Sequence, residues 1–303
     1  MRKPLVVRAC GATLYCAMHK WFVIARSVAT WQSREIIIVI TGLPRSLWSL
    51  AMTKETMKPT FLTSLRGHRI ATHSTTGQGP RVMFCCGYRS DMSSTKATAL
   101  AEWCASQNVP FTRFDYFAHG QSEGDFMDFT IGAAMADALE VMDSTNSESI
   151  ILIGSSMGSW VALNAARERK GTVRGLIGVA SAPDFTERLM FKRMTPEQRR
   201  EMDENRLVWA HSEMTGSDYP ITWNFIEEAR QHLMLDDVIG LDIPIHLLHG
   251  QADVDVPWET SITLAKQVIG EDVTLTLIKD GDHRLNRPAD LELMLEALGR
   301  MVG

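Results

Sequence analysis

The chain has 303 residues, 45% of them hydrophobic, and a formal net charge of −5. That length and apolar fraction suit one large core in a single α/β domain, and the acidic balance argues against nucleic acid as the main partner. Zinc-type Cys/His spacing, a Gly-x-x-x-x-Gly-Lys phosphate loop and any apolar run near the ~18 residues that span a bilayer are all missing from the sequence, so no metal, no organic cofactor and no stable membrane insertion are expected.

Residues 1–54 differ from the rest of the chain. They hold eight Lys or Arg against Glu35 alone, a net +7 in a chain that totals −5. A secretory signal peptide would need an apolar core, which Arg8 and Lys20 interrupt. A transit peptide is acid-poor and Arg-bearing, as here, but usually Ser-rich and amphipathic, and Ile36–Ile40 does not suit that pattern. The preferred expectation is a non-native leader with translation starting at Met52 or Met57. Residues 1–56 are then an N-terminal extension outside the fold, and 57–303 are the catalytic domain. Cys85 and Cys86 fall in a predicted buried strand and Cys104 on a predicted helix, so reduced apolar packing is expected rather than a disulfide framework. The expected location is the cytoplasm, or the mitochondrial matrix if the extension is a genuine transit peptide.

From Phe61 the pattern is regular. Phe61–Leu65 and Arg69–Thr72 read as a hairpin around Arg66-Gly67-His68. Strands are predicted at 81–86, 111–116, 149–154, 173–180, 243–248 and 273–278, alternating with helices at 93–107, 127–143, 157–169, 258–269 and 288–301. This alternation predicts a doubly wound, mainly parallel sheet buried on both faces, with ligand groups at the strand C-terminal ends. Residues 183–240 break the rhythm. Pro183-Asp184-Phe185 leads into a charged, Met-rich stretch through Met190, Met194, Met202 and Trp209, with Thr195-Pro196-Glu197 as a helix start. A small helical cap is expected there, in which Phe185, Leu189, Met190, Phe191 or Trp209 either line a pocket or simply hold the cap on the core.

The chemistry gathers at four strand ends. After the first parallel strand comes Gly87-Tyr88-Arg89-Ser90, where the Tyr88 backbone N–H is a candidate oxyanion donor. Arg89 beside it either faces a substrate carboxylate or pairs with a neighbour such as Asp91. Ile150–Ile153 then runs into Gly154-Ser155-Ser156-Met157-Gly158 and a helix, the Gly-x-Ser-x-Gly pattern of a nucleophile elbow. The elbow exposes Ser156 at a sharp turn, with the Met157 N–H as a second oxyanion donor at the positive end of the helix. The next predicted strand is followed by Asp253, preferred over Asp255 as the triad acid because it lies nearer the strand end, while Asp255 precedes Val256-Pro257 and more naturally starts a helix. Trp258, after that proline, is a candidate for lining the pocket or packing the helix. His283 follows the last predicted strand and is the candidate base, with His119 in Ala118-His119-Gly120 as its rival.

Together, CCGYRSDMSSTKA, RFDYFAHGQSEG, ILIGSSMGS, LLHGQADVDVPWE and LIKDGDHRL resemble the α/β-hydrolase branch that contains the animal mitochondrial palmitoyl-protein thioesterase, also described as an acyl-glucuronide esterase, and its bacterial relatives. The resemblance spans about residue 57 to the C-terminus. It implies an α/β-hydrolase fold and carries the nucleophile, acid and base roles onto Ser156, Asp253 and His283. The chain departs from these relatives at Cys86, where they usually carry glycine, and at Tyr88, where they carry an aromatic such as Phe. The reading implied is a serine hydrolase acting on a small-molecule ester or acyl-thioester. A peptidase or amidase of the same fold and a non-catalytic binding protein are the alternatives, and nothing in the chain speaks to oligomeric state.

Overall fold

A computed structural model describes residues 58–212 and 216–303, together with the backbone of a short hairpin, β1 (Val6–Ala9) and β2 (Ala12–Tyr15), in a separate N-terminal unit, Met1–Met57. The second unit is Lys58–Gly303. Met52 and the rest of the proposed leader outside the hairpin lie beyond the described residues.

The second unit is built on one eight-stranded sheet. Its strands are β3 (Thr60–Thr63), β4 (Arg69–Ser74), β5 (Arg81–Cys85), β6 (Phe111–Phe114), β7 (Ile150–Ser155), β8 (Val173–Val179), β11 (Ile245–Gly250) and β12 (Val273–Ile278). The spatial order is β12-β11-β8-β7-β5-β6-β4-β3. β3, β4 and β6 pair antiparallel at one edge, and every pairing from β6 to β12 is parallel. Central β7 is buried along its whole length, which is why its sequence is an unbroken apolar run and not an alternating one. β12 closes the edge and shows the mixed burial of a strand with one open side. Helices α1 (Thr95–Ser106), α2 (Ile131–Ser144), α3 (Met157–Glu168), α6 (Glu259–Gln267) and α7 (Pro288–Val302) connect the strands. Each sequence-predicted element of the sheet appears within a few residues of its expected bounds.

The cap holds a π-helical turn (Thr186–Phe191), α4 (Pro196–Asn205) and α5 (Trp223–Ala229), and α4 starts as expected. The Thr195 hydroxyl accepts from the Gln198 N–H at 3.2 Å, and the Gln198 side chain accepts in return from the Thr195 N–H at 3.0 Å. The cap also contains an antiparallel hairpin, β9 (Leu207–Ser212) with β10 (Ser217–Thr222), which the helical reading of this stretch does not anticipate. Trp209 therefore sits on a strand and is 55% exposed. Phe185 is buried and packs edge-on to Trp160.

The cap root is fixed by Asp184. Its buried carboxylate accepts from the Met234 and Leu235 N–H groups, each at 2.9 Å, closing the cap onto itself. A second tie runs from the Trp160 indole N–H on α3 to the His232 carbonyl at 2.9 Å.

At Gly158, where β7 has turned into α3, no side chain fits. A Cβ on Gly158 would lie 2.1 Å from the Cys85 carbonyl oxygen and 2.5 Å from that of Cys86, both rigid backbone. Gly158→Ala is expected to cost about 3 kcal/mol or more, as overpacking against an unyielding neighbour does. The midpoint of urea unfolding measures it, and a loss below about 1 kcal/mol would mean the junction yields.

Candidate active site

Ser156 sits at the apex of this junction with φ 54° and ψ −121°, a backbone conformation a non-glycine residue holds only when its surroundings force it. Three hydrogen bonds do so. The Ser156 N–H donates to the Val179 carbonyl at 2.8 Å, its carbonyl accepts from the Ser159 N–H at 2.9 Å, and the Ser159 hydroxyl donates to the Gly154 carbonyl at 2.7 Å.

The acid and base loops meet because β11 and β12 end side by side. A Cβ on Gly250 would fall 2.1 Å from the Gly281 carbonyl, and the Ala252 N–H donates to that same carbonyl at 2.9 Å. This close approach brings His283 against Asp253. His283 Nδ1 lies 2.7 Å from Asp253 Oδ2, and His283 Nε2 lies 3.0 Å from Ser156 Oγ. With Nδ1–H donating to the carboxylate, Nε2 is free to accept the serine proton. The three residues singled out from widely separated motifs thus form one hydrogen-bonded chain.

Asp253 is fully enclosed, its side chain showing no exposure. Burial by itself would raise its carboxyl, but hydrogen bonds from His249 and His283, the His283 charge and the Val256 N–H together carry it below the ordinary carboxylate range. Oδ1 accepts from the Asp255 and Val256 N–H groups at 2.9 and 2.8 Å, and Oδ2 accepts from His249 Nε2–H at 3.1 Å besides His283. His249, itself buried and tied to the Ser261 hydroxyl at 2.7 Å, is a partner that the sequence pattern places only as a strand residue. Its position four residues before Asp253, at the end of a buried strand, is the one available signal. Asp255 is exposed and its backbone N–H donates to Asp253, while His283 spends Nδ1 on Asp253 and Nε2 on Ser156, so the rival acid lies near the imidazole without bonding to it. Donor atoms of Asp253, Asp255 and His283 fall within 4.8 Å of one another, as a metal site would require. Asp253 and His283 are already spent on each other, leaving Asp255 as the uncommitted donor of the three.

The loop after β5 reaches the elbow through Gly87, whose added Cβ would lie 3.4 Å from Ser156 Cβ. The Tyr88 amide follows directly, and the Met157 amide opens α3, where the first N–H groups have no intrahelical acceptor. The half-buried Tyr88 ring packs among aromatics. It stacks on Phe225 at 5.2 Å and lies 5.4 to 6.0 Å from Phe126, Phe185 and Phe129. That burial pushes its hydroxyl well above the usual tyrosine value.

His119 is not positioned as a base. Its Nδ1–H donates to the Phe117 carbonyl at 3.0 Å and its Nε2 accepts from the Arg89 N–H at 3.1 Å, so both ring nitrogens are committed and the neutral form is required. Burial lowers its proton affinity in the same direction. Its role is to clamp the loop that carries Tyr88. Arg89 does not pair with Asp91. Its guanidinium lies 4.3 Å from the Tyr219 ring centroid and donates to the Ser217 hydroxyl at 3.3 Å, reaching the cap hairpin beside a cleft of about 280 Å³ that it lines with His119, Phe126 and Tyr219. Trp258 starts α6, its carbonyl accepting from the Ser261 N–H at 3.1 Å, and none of its hydrogen bonds or ring contacts among the described residues reaches Ser156, Asp253 or His283.

A second Ser–His–Asp chain shows that hydrogen-bond order alone makes no nucleophile. Ser64 Oγ lies 2.8 Å from His68 Nδ1, and His68 Nε2 lies 2.9 Å from Asp137. Ser64 is only 4% exposed in the β3–β4 turn and Asp137 is shared with Arg66, so this chain fastens the hairpin to α2.

Comparison with known proteins agrees with this architecture. Residues 79–202 match the family model described as Serine aminopeptidase, S33. The chain is 33% identical to the palmitoyl-protein thioesterase ABHD10, mitochondrial, of Rattus norvegicus, over 89% of this chain and 91% of that protein. The chain belongs to the α/β-hydrolase family. Among solved structures, the alpha/beta hydrolase domain-containing protein 10 from mouse superposes with a TM-score of 0.75 at 33% identity, covering 81% of this chain and 98% of that one. A structure from Agrobacterium vitis S4 named only as a hydrolase gives 0.78 at 36% identity, covering 81% and 99%. As an α/β-hydrolase the chain is a hydrolase of esterase-like type, and no helix of its described residues is long and apolar enough to cross a membrane.

Because the folded-state value of Asp253 lies below the ordinary 3.8, the stability its ionised form contributes is fully present above 3.8 and is lost as the pH falls through the folded-state value. Urea unfolding is expected to show wild type ahead of Asp253→Asn by about 2 kcal/mol near pH 6, with the gap closing below 3.8. A gap independent of pH would contradict the ionised, four-donor carboxylate.

Proposed function

We propose that the chain is a serine hydrolase that cleaves carboxylic ester or thioester bonds through an acyl-enzyme, with Ser156 as nucleophile, His283 as base and Asp253 as the orienting acid. The observation that carries this reading is the continuous chain from Ser156 Oγ through His283 to Asp253 at 3.0 and 2.7 Å, set on a strained strand-to-helix turn. In the first step Ser156 Oγ bonds to the acyl carbon while His283 Nε2 takes its proton, and the Tyr88 and Met157 N–H groups hold the oxyanion. The carbonyl re-forms, the alcohol or thiol leaves with the proton from His283, and water repeats the sequence to release the acid. No step calls for a metal or an organic cofactor.

The substrate side rests on two supports. Relatives are named palmitoyl-protein thioesterases, which favours acyl-thioesters, and the aromatic wall of Tyr88, Phe126, Phe129, Phe185 and Phe225 suits an apolar acyl group. Arg89 at the cleft rim is proposed to meet an anionic group on the substrate, and Trp258 to lie on the substrate side of α6. The aminopeptidase description of the family model favours a second reading, an amidase using the same three residues. A binding protein without turnover is the third.

A panel of short and long p-nitrophenyl esters, a palmitoyl thioester, an acyl glucuronide and an aminoacyl p-nitroanilide separates these readings. Ser156→Ala is expected to lose at least about 10³-fold in turnover and to lose fluorophosphonate labelling while remaining folded. Arg89→Ala is expected to raise KM about tenfold for the anionic member alone. Retained activity in Ser156→Ala overturns the assignment, activity confined to the anilide selects the amidase, and a folded wild type that neither labels nor turns over selects the binding protein.

The catalytic domain is proposed to start near Met57, just before β3, in the cytoplasm unless residues 1–56 are a genuine transit peptide, the case that the mitochondrial names of the relatives would favour. Intact mass of the protein from its natural host is expected to place the start at Met52 or Met57, and a start near residue 1 overturns the leader reading.

A further inference from the structure

Lys96 is a cation in an unfavourable place. It is the second residue of α1 and only 7% exposed. A positive charge in the first turn opposes the helix dipole, and a buried ammonium is costly without a carboxylate partner. Among the described residues no carboxylate lies within ion-pair distance of its Nζ. The Nζ donates instead to two oxygens of a single loop, the Arg284 carbonyl at 2.5 Å and Asn286 Oδ1 at 3.2 Å. That loop joins β12 to α7, and Arg284 directly follows His283.

We propose that Lys96 is a positioning residue for the base, holding the His283 loop in register with the nucleophile through the main-chain carbonyl of Arg284. The placement explains why the unfavourable cation is present. α1 begins where the loop bearing Tyr88 ends, so one side chain sets the base loop against the helix that anchors the proposed oxyanion donor. Asp253 holds the imidazole through Nδ1, and Lys96 holds the main chain one residue further on, at Arg284. Burial, the largest influence, lowers the ammonium to about 8. Asp282 and Arg284 face it from the loop, the former raising and the latter lowering its proton affinity, and Asp290 faces it from α7 and raises it. Its grip therefore weakens as the pH rises past about 8.

The inference depends on the assignment of Ser156 and His283 as nucleophile and base. Its test is ester hydrolysis by wild type, Lys96→Met, Lys96→Arg and Asn286→Ala across pH 5–10, with the low-field imidazole proton shared by His283 and Asp253 followed by NMR. Lys96→Met is expected to lower kcat at least about tenfold with KM changed less than about twofold, and to broaden or erase the low-field proton while circular dichroism stays native. Lys96→Arg, whose guanidinium keeps its charge throughout, is expected to move the alkaline fall in kcat upward from about 8. Asn286→Ala, which removes the second acceptor from the loop side, is expected to lower kcat several-fold and serves if the Lys96 variants do not fold. Wild-type kcat and an unchanged low-field proton in folded Lys96→Met overturn the inference, as does, where that variant does not fold, wild-type kcat in Asn286→Ala. Serine-dependent turnover that ignores both substitutions sinks this inference alone, whereas turnover surviving Ser156→Ala sinks the hydrolase assignment with it.

Discussion

The closeness of α3 to the ends of β5 and β7 is the constraint on which the rest of the site depends. Gly158 lies so near the Cys85 and Cys86 carbonyls that a methyl group would overlap them, and this approach forces the chain through a positive φ at Ser156. The strain is local, and the packing of two central strands, buried where they meet the junction, over-determines it. The same approach sets the loop after β5 beside the serine, so the proposed nucleophile and both proposed oxyanion donors are placed by one junction.

The loops that leave the sheet's C-terminal edge are irregular, and each carries backbone N–H groups that no ladder satisfies. Buried polar side chains take several of them. Asp253 collects the N–H groups of Asp255 and Val256, Asp115 those of Met92 and Gln121, and Asp184 those of Met234 and Leu235. His119 accepts the Arg89 N–H in the same manner. Hydrogen bonds of this kind restrain irregular loops, which is what a reacting geometry specified to a fraction of an ångström needs. The buried polar residues around Ser156 are therefore mostly scaffolding, and Asp253 also faces the imidazole that meets Ser156.

The cap adds a different kind of order. Tyr88, from the sheet side, stacks on Phe225 of α5 and touches Phe185 at the cap root, while Arg89 next to it reaches over Tyr219 of the cap hairpin. Adjacent residues of one short loop thus make both an apolar and a charged contact with the cap. Changes in the cap that shift Phe225 are felt at Tyr88, the proposed oxyanion donor itself, and those that shift Tyr219 at Tyr88 and at Arg89 beside it.

Much of this architecture is written in local sequence. Strands buried on both faces need continuous apolar runs, so Ile150–Ile153 announces a central strand, and glycines flanking a serine at its end announce the turn, because steric exclusion of Cβ is a local demand. The order of Ser156, Asp253 and His283 along the chain comes from strand ends and needs no contacts to be known. The β9–β10 hairpin is not legible, since its strands lie on the cap surface and Trp209 is exposed where an amphipathic pattern would have hidden it. Nor are His249, His119 and Lys96 assignable, for a histidine in a strand or a lysine in a helix carries no mark of its partner. Hydrogen bonds between residues more than a hundred positions apart, such as Lys96 with Arg284, exist only once the sheet has set β5 and β12 in their places, so sequence determined which residues stand at the strand ends and tertiary structure alone decided which of them meet.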